Sequence, residues 1–150
     1  MRRSLGVALV LVSAALLPNA VSAQQGGATV GGRQDTTGGF ELGTNYPNPF
    51  RNETRIPFDL YEGAFPEGRP ARVRIRIFDI IGQYIASPTA LDHPAGDGTP
   101  IIDLEYPAPG HYEAYWDARD ESGQSVQAGN YLVELTVNGR SQVNRVRVIQ

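Results

Sequence analysis

Hydrophobic and polar residues alternate along several stretches of this chain of 150 residues. The clearest stretch, residues 71–77, places three apolar side chains on one face and three arginines on the other: Val73, Ile75 and Ile77 against Arg72, Arg74 and Arg76. A period of two is typical of a strand with one buried face. Weaker or shorter patterns of the same kind predict strands at residues 54–60, 83–86, 101–106 and 111–116.

The last two alternating stretches, residues 129–137 and 141–149, flank Asn138-Gly139. An Asn-Gly pair between alternating runs is the strongest short-range signal of a β-hairpin. The residues predicted to face the core from this hairpin are Tyr131, Val133, Leu135, Val137, Val146 and Val148. Arg145 and Arg147 are then expected to point outward.

No window of useful length has helical periodicity, and turn signals recur about every 8–12 residues, as in a β-sandwich. Two of them repeat the pattern Asp-x-x-Gly, at residues 79–82 and 120–123, which fits a type I turn. Pro57 marks its strand as an edge strand or a bulge. About seven short strands in about 105 residues predict an all-β, immunoglobulin-like sandwich.

The N-terminus is predicted to be a secretory signal peptide over residues 1–23, because Arg2 and Arg3 precede a short apolar run. Small residues end this segment and predict cleavage between Ala23 and Gln24. The alternative, a membrane anchor, is disfavoured because the apolar run, residues 5–17, falls short of the ~20 residues that a membrane span needs. Residues 24–41 are glycine-rich and predict a flexible linker, so the folded domain is expected at residues 42–150.

Composition narrows the possible partners. The chain has no cysteine and a net charge of −3, which becomes −5 when the leader and its two arginines are removed. An acidic chain is a poor candidate for binding nucleic acid or anionic membranes. No segment after the leader is long and apolar enough to cross a bilayer, so we expect a protein exported to the periplasm, surface or medium of a bacterium.

The sequence NYPNPF, residues 45–50, is too rich in proline for a helix or a central strand. We expect an extended segment in which Tyr46 and Phe50 lie on one side and plug an open end of the core. The alternative is a proline-rich ligand for an aromatic groove, although such ligands usually have PxxP spacing. The P-N-P spacing of Pro47, Asn48 and Pro49 therefore favours the first interpretation, a segment that closes one end of the core.

Several motifs occur together in a fixed order: NYPNPF, then IRIFDIIGQ at residues 75–83, YWDA at 115–118, SG at 122–123, AGNY at 128–131, and a basic and apolar final strand. In this order and spacing they resemble the C-terminal sorting domains of proteins secreted by the type IX (Por-type) system. They also resemble the related Ig-like domain of flagellar hook-capping proteins. The resemblance covers residues 42–150 approximately.

The resemblance implies an Ig-like sandwich without catalytic activity or cofactor, recognised by the outer-membrane secretion machinery. It makes the following residues candidates for family-motif or recognition roles: Tyr46, Pro47, Asn48, Pro49, Phe50, Asp79, Gly82, Trp116, Asp117, Gly123, Gly129, Tyr131, Arg145 and Arg147. A cleaved leader favours the sorting domain over the hook cap. Only linker-like residues precede the domain, where a sorting domain would follow its cargo, so a stand-alone surface or periplasmic interaction module is the alternative.

Residues that could carry chemistry are few. His93 and His111 are each expected to be solvated loop residues, and there is no cysteine to complete a zinc site. Asp117, Asp120 and Glu121 crowd one turn and could hold Ca²⁺. The spacing fails the EF-hand pattern and favours an Asx-type turn closed by Gly123. We therefore expect no enzyme, no metal and no cofactor.

Two further features have competing interpretations. Trp116 is expected to belong to the core rather than to form a ligand platform. The outward arginines of residues 72–76, and Arg145 with Arg147, are either solvated faces that protect sheet edges or a surface for an acidic partner. No aromatic residues alternate with these arginines, which argues against nucleic acid.

Overall fold

The computed structural model describes residues 39–150 of the chain. This part is built mainly from β-strands, with two short 3₁₀ turns, Glu62–Ala64 and Pro66–Gly68, after the second strand. The strands in chain order are β1 (Phe40–Leu42), β2 (Thr54–Leu60), β3 (Ala71–Asp79), β4 (Tyr84–Ala86), β5 (Thr89–Ala90), β6 (Leu104–Tyr106), β7 (Gly110–Trp116), β8 (Gly129–Val137) and β9 (Arg140–Val148).

The strands form two antiparallel sheets. The first sheet has the order β1-β2-β7-β5, and the second has the order β4-β3-β8-β9, with β6 pairing with the other end of β3. In immunoglobulin nomenclature these orders are A-B-E-D and C-F-G, with β4 and β6 added beside strand C. The prediction of an all-β, Ig-like sandwich is confirmed.

The core follows the alternation of the strands. In β3 the three aliphatic residues are fully buried while the arginines between them point outward. In β8, Tyr131, Val133, Leu135 and Val137 are buried as predicted. Val146 and Val148 of β9 face the same core. A period of two along each strand is therefore enough to place these side chains between the sheets.

The hairpin of β8 and β9 turns at Asn138 and Gly139, whose φ angles of 48° and 84° are both positive, as a type I′ turn requires. The side chain of Asn138 also ties the hairpin to the rest of the domain. Its Oδ1 accepts the backbone N–H of Arg72 at 3.0 Å, and its Nδ2 donates to the carbonyl of Ala64 at 2.7 Å.

Two short strands were missed by the sequence patterns. β5 has only two residues, and it pairs with Ala114 and Tyr115 of β7. β1 begins at Phe40, so the last two residues assigned to the linker belong to the domain. Stretches of two and three residues are too short to display a period, which is why neither was predicted.

The prediction that Pro57 marks an edge strand or a bulge is wrong, because β2 lies between β1 and β7. The carbonyl of Pro57 accepts the N–H of Gly43 at 2.9 Å. The N and O atoms of one strand residue point to the same side, so the missing donor of Pro57 faces the point where β1 has ended. The ladder between β2 and β7 is uninterrupted.

Candidate interaction surface

The NYPNPF segment, which we call the strap, begins against the first sheet. Tyr46 exchanges two backbone hydrogen bonds of 2.9 Å with Arg55 of β2. The buried amide of Asn45 donates to the hydroxyl of Thr54 at 2.9 Å and to the carbonyl of Pro47 at 3.2 Å. The Thr54 hydroxyl donates to the same carbonyl at 2.9 Å. These bonds satisfy buried polar groups and fix the start of the strap.

The strap ends against the second sheet, on the free edge of β9. The backbone N–H of Phe50 donates to the carbonyl of Arg147 at 3.0 Å, and the N–H of Ile149 donates to the carbonyl of Phe50 at 2.8 Å. The side chain of Asn48 accepts the N–H of Arg147 at 3.1 Å and approaches the carbonyl of Arg145 at 3.4 Å. The strap therefore connects β2 of the first sheet to β9 of the second sheet.

The expectation that both strap rings plug the core is correct for Phe50 and wrong for Tyr46. Phe50 is 2% exposed, whereas Tyr46 is 47% exposed and bonds through its hydroxyl to the carboxylate of Glu113. Residues that pair across strands share a face of the sheet. Tyr46 pairs with the exposed Arg55, and Phe50 pairs with the buried Val148, so the two rings take opposite sides. The peptide bonds before Pro47 and Pro49 are both cis.

Phe50 packs edge-on against Trp116, and Trp116 packs edge-on against Tyr131, with ring centroids 5.6 and 5.7 Å apart. Trp116 is 2% exposed and its indole N–H donates to the carbonyl of Arg119 at 3.0 Å. The assignment of Trp116 to the core is confirmed. Aromatic pairs of this geometry contribute about 0.5–1.5 kcal/mol each beyond their buried area.

Tyr131 stands at the start of β8, and its hydroxyl donates to the carbonyl of Gln127 at 2.7 Å. A tyrosine at the start of strand F that bonds back to the preceding backbone is the tyrosine corner of Ig-like sandwiches. Burial, and secondarily the charge of Asp79, raises the pKa of Tyr131. Gly129, two residues earlier, opens β8 opposite Val148.

The two Asp-x-x-Gly turns have the same geometry. In the first, Oδ1 of Asp79 accepts the N–H groups of Ile81 and Gln83 at 3.0 and 2.8 Å, and the N–H of Gly82 donates to the Asp79 carbonyl at 3.1 Å. The turn at residues 120–123 repeats these contacts with distances of 2.9 Å. Gly82 and Gly123 have φ of 84° and 78°, which favours glycine at the fourth position.

The carboxylates near Gly123 serve separate hydrogen bonds. Asp117 accepts the N–H of Arg119 at 3.2 Å, Asp120 closes its own turn, and Glu121 accepts the hydroxyl of Tyr84 at 2.7 Å. This arrangement matches the Asx-type turn. Within residues 39–150, no three histidine or carboxylate side chains gather as metal ligands.

The outward arginines fall into two groups. Those of β3 have acidic partners: Arg72 with Glu105 at 3.5 Å, Arg74 with Asp103 and Arg76 with Glu134 at 2.8 Å. Arg145 and Arg147 of β9 are exposed. In the described part of the chain no carboxylate lies within ion-pair distance of Arg145 or Arg147. The uncompensated positive charge of the outer sheet face is therefore on β9.

Most of the predicted recognition residues meet at one end of the sandwich. The strap, Trp116, Gly129, Tyr131 and the end of β9 are linked by the contacts above, and Asp79 pairs with Tyr131 across β3 and β8. The turn at Gly123 reaches the same end through the N–H of Glu121, which donates to the carbonyl of Ile85 at 3.2 Å. The predicted cleavage site at Ala23 and Gln24 lies outside the described residues.

Gln142 and Asn144 were missed by the sequence analysis. Gln142 accepts the N–H of Leu42 at 2.8 Å and donates to the carbonyl of Phe40 at 3.0 Å. Asn144 donates to the carbonyls of Leu42 and Gly43, both at 3.0 Å. These amides join β9 to the exposed edge of β1. Their inward position in the alternation of β9 was a usable signal, because a buried amide needs a partner.

The expectation that both histidines are solvated is wrong for His93, which is 8% exposed. Its Nδ1 accepts the N–H of Ala95 at 3.0 Å, its Nε2 lies 2.9 Å from the carbonyl of Glu105, and its ring packs against Tyr106. His111 is exposed as expected and pairs with Asp59 at 2.9 Å.

No protein-family model matches the sequence, and no curated protein matches it. Solved structures with a similar fold include latent PorU from Porphyromonas gingivalis, at 19% identity and a TM-score of 0.48 over 73% of this chain. A second is PorZ, a type IX secretion surface component of the same organism, at 20% identity and a TM-score of 0.42 over 80% of this chain. A third is the DNA glycosylase AlkC of Pseudomonas fluorescens, at 15% identity and a TM-score of 0.48 over 75% of this chain.

The chain spans 9%, 13% and 31% of the lengths of those three proteins, respectively. At these identities and TM-scores the likenesses carry no argument about what this chain does. Among the described residues, no helix is long and apolar enough to cross a membrane.

Proposed function

We propose that this protein is an exported, non-enzymatic Ig-like module that is recognised through its C-terminal strand by the outer-membrane secretion machinery, as a type IX sorting domain is. The observation that carries the proposal is the pair Arg145 and Arg147, which point outward from β9 without an acidic partner among the described residues. Exposed arginines left without a carboxylate are available for an acidic partner.

The placement of these arginines supports a recognition role. The strap holds the backbone of β9 at both residues through Asn48 and Phe50, so their side chains project from a fixed strand. A preorganised surface loses less conformational entropy when it binds. The motif order that resembles sorting domains includes this same strand. The arginines of β3, in contrast, are neutralised within the domain.

The test is the double substitution Arg145→Ser with Arg147→Ser in the full chain, expressed in its native host. We expect thermal stability to change little, because exposed charges contribute at most about 1 kcal/mol. We expect folded protein to accumulate in the periplasm while the parent reaches the surface or medium. The matched control is Arg72→Ser with Arg74→Ser, which removes two arginines of the same face that already have partners, and this control should be exported normally.

Three outcomes contradict the proposal. Export of the β9 variant at the parental level would make these arginines a solvated face. Equal loss of export in the control would indicate a general charge effect rather than a site. A parent that never leaves the periplasm would favour the alternative, a stand-alone interaction module with the same fold.

A further inference from the structure

The turn between β3 and β4 exposes two isoleucine side chains to solvent. Ile80 is 72% exposed and Ile81 is 83% exposed, the highest exposures among the large hydrophobic residues of the described chain. A single exposed apolar residue is ordinary on a protein surface. Two adjacent ones at the tip of a turn are a candidate contact with another molecule.

Hydrogen bonds close the tip, and its fold does not depend on the two isoleucine side chains. The turn is closed by the carboxylate of Asp79 and by the backbone of Gly82. The second Asp-x-x-Gly turn of this protein makes the same contacts with Glu121 and Ser122 at the two central positions. Polar residues therefore fit this turn equally well, so turn formation does not explain the isoleucines.

At the end of β3 that leads into the tip, Phe78 and Leu132 form a short apolar band on the outer face of the second sheet, with the guanidinium of Arg76 5.0 Å from the centre of the Phe78 ring. Phe78 of β3 pairs with Leu132 of β8, and Leu132 pairs with Arg145 of β9. Neighbouring strands are about 5 Å apart, so Phe78 and Arg145 are separated by about 10 Å along this row. Phe78 and Leu132 are each half-buried. The row thus leads from apolar side chains to the two unpaired arginines.

The charges differ between the two ends of this band. Beside the tip, the carboxylate of Asp79 accepts backbone N–H groups and forms no ion pair within the described residues. Farther along the face, Glu134 is paired with Arg76. Arg145 and Arg147 have no such partner among the described residues. The surface therefore combines exposed apolar side chains on one side with uncompensated positive charge on the other.

We infer that Ile80, Ile81, Phe78 and Leu132 form, with Arg145 and Arg147, one docking surface for a protein partner that offers an apolar depression bordered by carboxylates. The inference rests on the proposed function and extends its binding site by about two strand spacings beyond β9. A protein suits this surface better than an anionic bilayer. The net charge of the chain is −3, and an extended anionic surface would repel it, whereas a local acidic patch meets mainly the two arginines.

The test combines one variant pair with a crosslinking probe in the native host. Ile80→Ser with Ile81→Ser removes the apolar tip and keeps Asp79 and Gly82. We expect an unchanged melting temperature and a loss of export of roughly tenfold or more, the scale of an apolar hot spot. The matched control is Ile102→Ser, which removes another isoleucine that is 56% exposed and lines a cavity with Thr89 and Tyr115 of the first sheet. Export of this control should equal that of the parent.

A photo-crosslinking amino acid, p-benzoylphenylalanine, is placed at position 81 or, as control, at position 102. We expect a crosslink from position 81 to one protein, lost when Arg145→Glu and Arg147→Glu are added. The peptide identified by mass spectrometry should contain apolar and acidic residues. The crosslink also separates the docking surface from the proposed export role. A parent protein that stays in the periplasm would contradict the export role, and the crosslink from position 81 would still show whether the tip binds a protein.

Two results would overturn the inference. One is a serine variant that is exported like the parent and a position-81 probe that gives no crosslink beyond that of position 102. The other is binding to lipid: co-sedimentation of purified parent, but not of the serine variant, with vesicles of equal parts phosphatidylcholine and phosphatidylglycerol would assign the tip to a membrane surface.

Discussion

Tyr106 carries a hydroxyl that is fully buried and has no hydrogen-bond partner among the described residues. An unsatisfied buried polar group costs about 1–3 kcal/mol, and its removal without a change of shape recovers part of that cost. We expect Tyr106→Phe to raise the free energy of unfolding by about 1 kcal/mol in urea titrations.

The matched control for this prediction is Tyr131→Phe. It removes the same atom from a tyrosine whose hydroxyl donates to the carbonyl of Gln127, so it should lower the free energy of unfolding by about 1 kcal/mol. A loss of stability in both variants would mean that the hydroxyl of Tyr106 is satisfied in solution.

The buried tyrosines also set the response to alkali. Burial raises the pKa of Tyr106, Tyr112 and Tyr131 above the ordinary value of 10.0. The folded state therefore retains these protons at a pH where the unfolded chain loses them. Their contribution to stability is fully present below about pH 10 and is lost as the pH rises through the folded values.

We accordingly expect the urea midpoint of the parent to fall above about pH 10. The fall should be shallower in Tyr106→Phe, because burial affects this residue most. Midpoints measured across the alkaline range check the prediction, and parallel curves for the two proteins would remove Tyr106 from the explanation.

At the scale of elements, the sequence was sufficient to predict a strand wherever the strand is long enough for the alternation of apolar and polar residues to repeat. The alternation in β3, β7, β8 and β9, the two Asp-x-x-Gly turns and the Asn-Gly hairpin were all predicted correctly, because each is determined by neighbouring residues. β1 and β5 were missed because they are short. The exposure of Tyr46 and the burial of His93 were mispredicted because both depend on residues distant in sequence, Arg55 and Glu105 among them.

The candidate surface was predictable in part for the same reason. Alternation was enough to place Arg145 and Arg147 on the outer face of β9. Alternation gave no information about which outward arginines form ion pairs. The partner of Arg74 is Asp103, just before β6, and the partner of Arg72 is Glu105, within β6. The exposure of Ile80 and Ile81, in contrast, agrees with the Asp-x-x-Gly turn predicted at residues 79–82, which places both isoleucines at its central positions.

The start of β1 depends on a close approach of two glycines. A Cβ on Gly39 would lie 2.4 Å from the backbone carbon of Gly63 and 2.5 Å from the nitrogen of Ala64, and Gly39 has φ of +76°. Gly39→Ala must therefore displace backbone as well as adopt a disfavoured conformation. We expect it to destabilise the domain by more than the ~1–2 kcal/mol that a positive φ alone costs an L-residue.

Gly82→Ala is the matched control, because Gly82 has φ of +84° and open space where the added Cβ would lie. The loss of unfolding free energy in Gly82→Ala should stay within the ~1–2 kcal/mol that a positive φ costs an L-residue. Urea denaturation of both variants measures the difference, and equal costs would show that β1 moves away from Gly63 without penalty.

At the scale of the whole molecule, the strap and the amides of β9 close one side of the sandwich. Gln142 and Asn144 bind the free edge of β1, while Asn48 and Phe50 bind the free edge of β9. Edge strands with unpaired backbone groups are liable to pair with other chains. These contacts cover much of that backbone within residues 39–150, and they join the first residues of the domain to its last strand.

The coupling between the strap and the core gives the last prediction. Phe50 reaches across from the strap to Trp116 of the first sheet and lies beside Val148 of the second, so the aromatic cluster holds both sheets and the strap together. Trp116→Ala and Phe50→Ala should each cost about 3–5 kcal/mol, as expected for large rings in a core. Because the rings touch, the double variant should cost less than the sum of the two, by about 0.5–3 kcal/mol. Urea midpoints of the parent, both single variants and the double variant measure this coupling. Strict additivity would mean that Phe50 and Trp116 stabilise the domain independently and that their ring contact does not couple the strap to the first sheet.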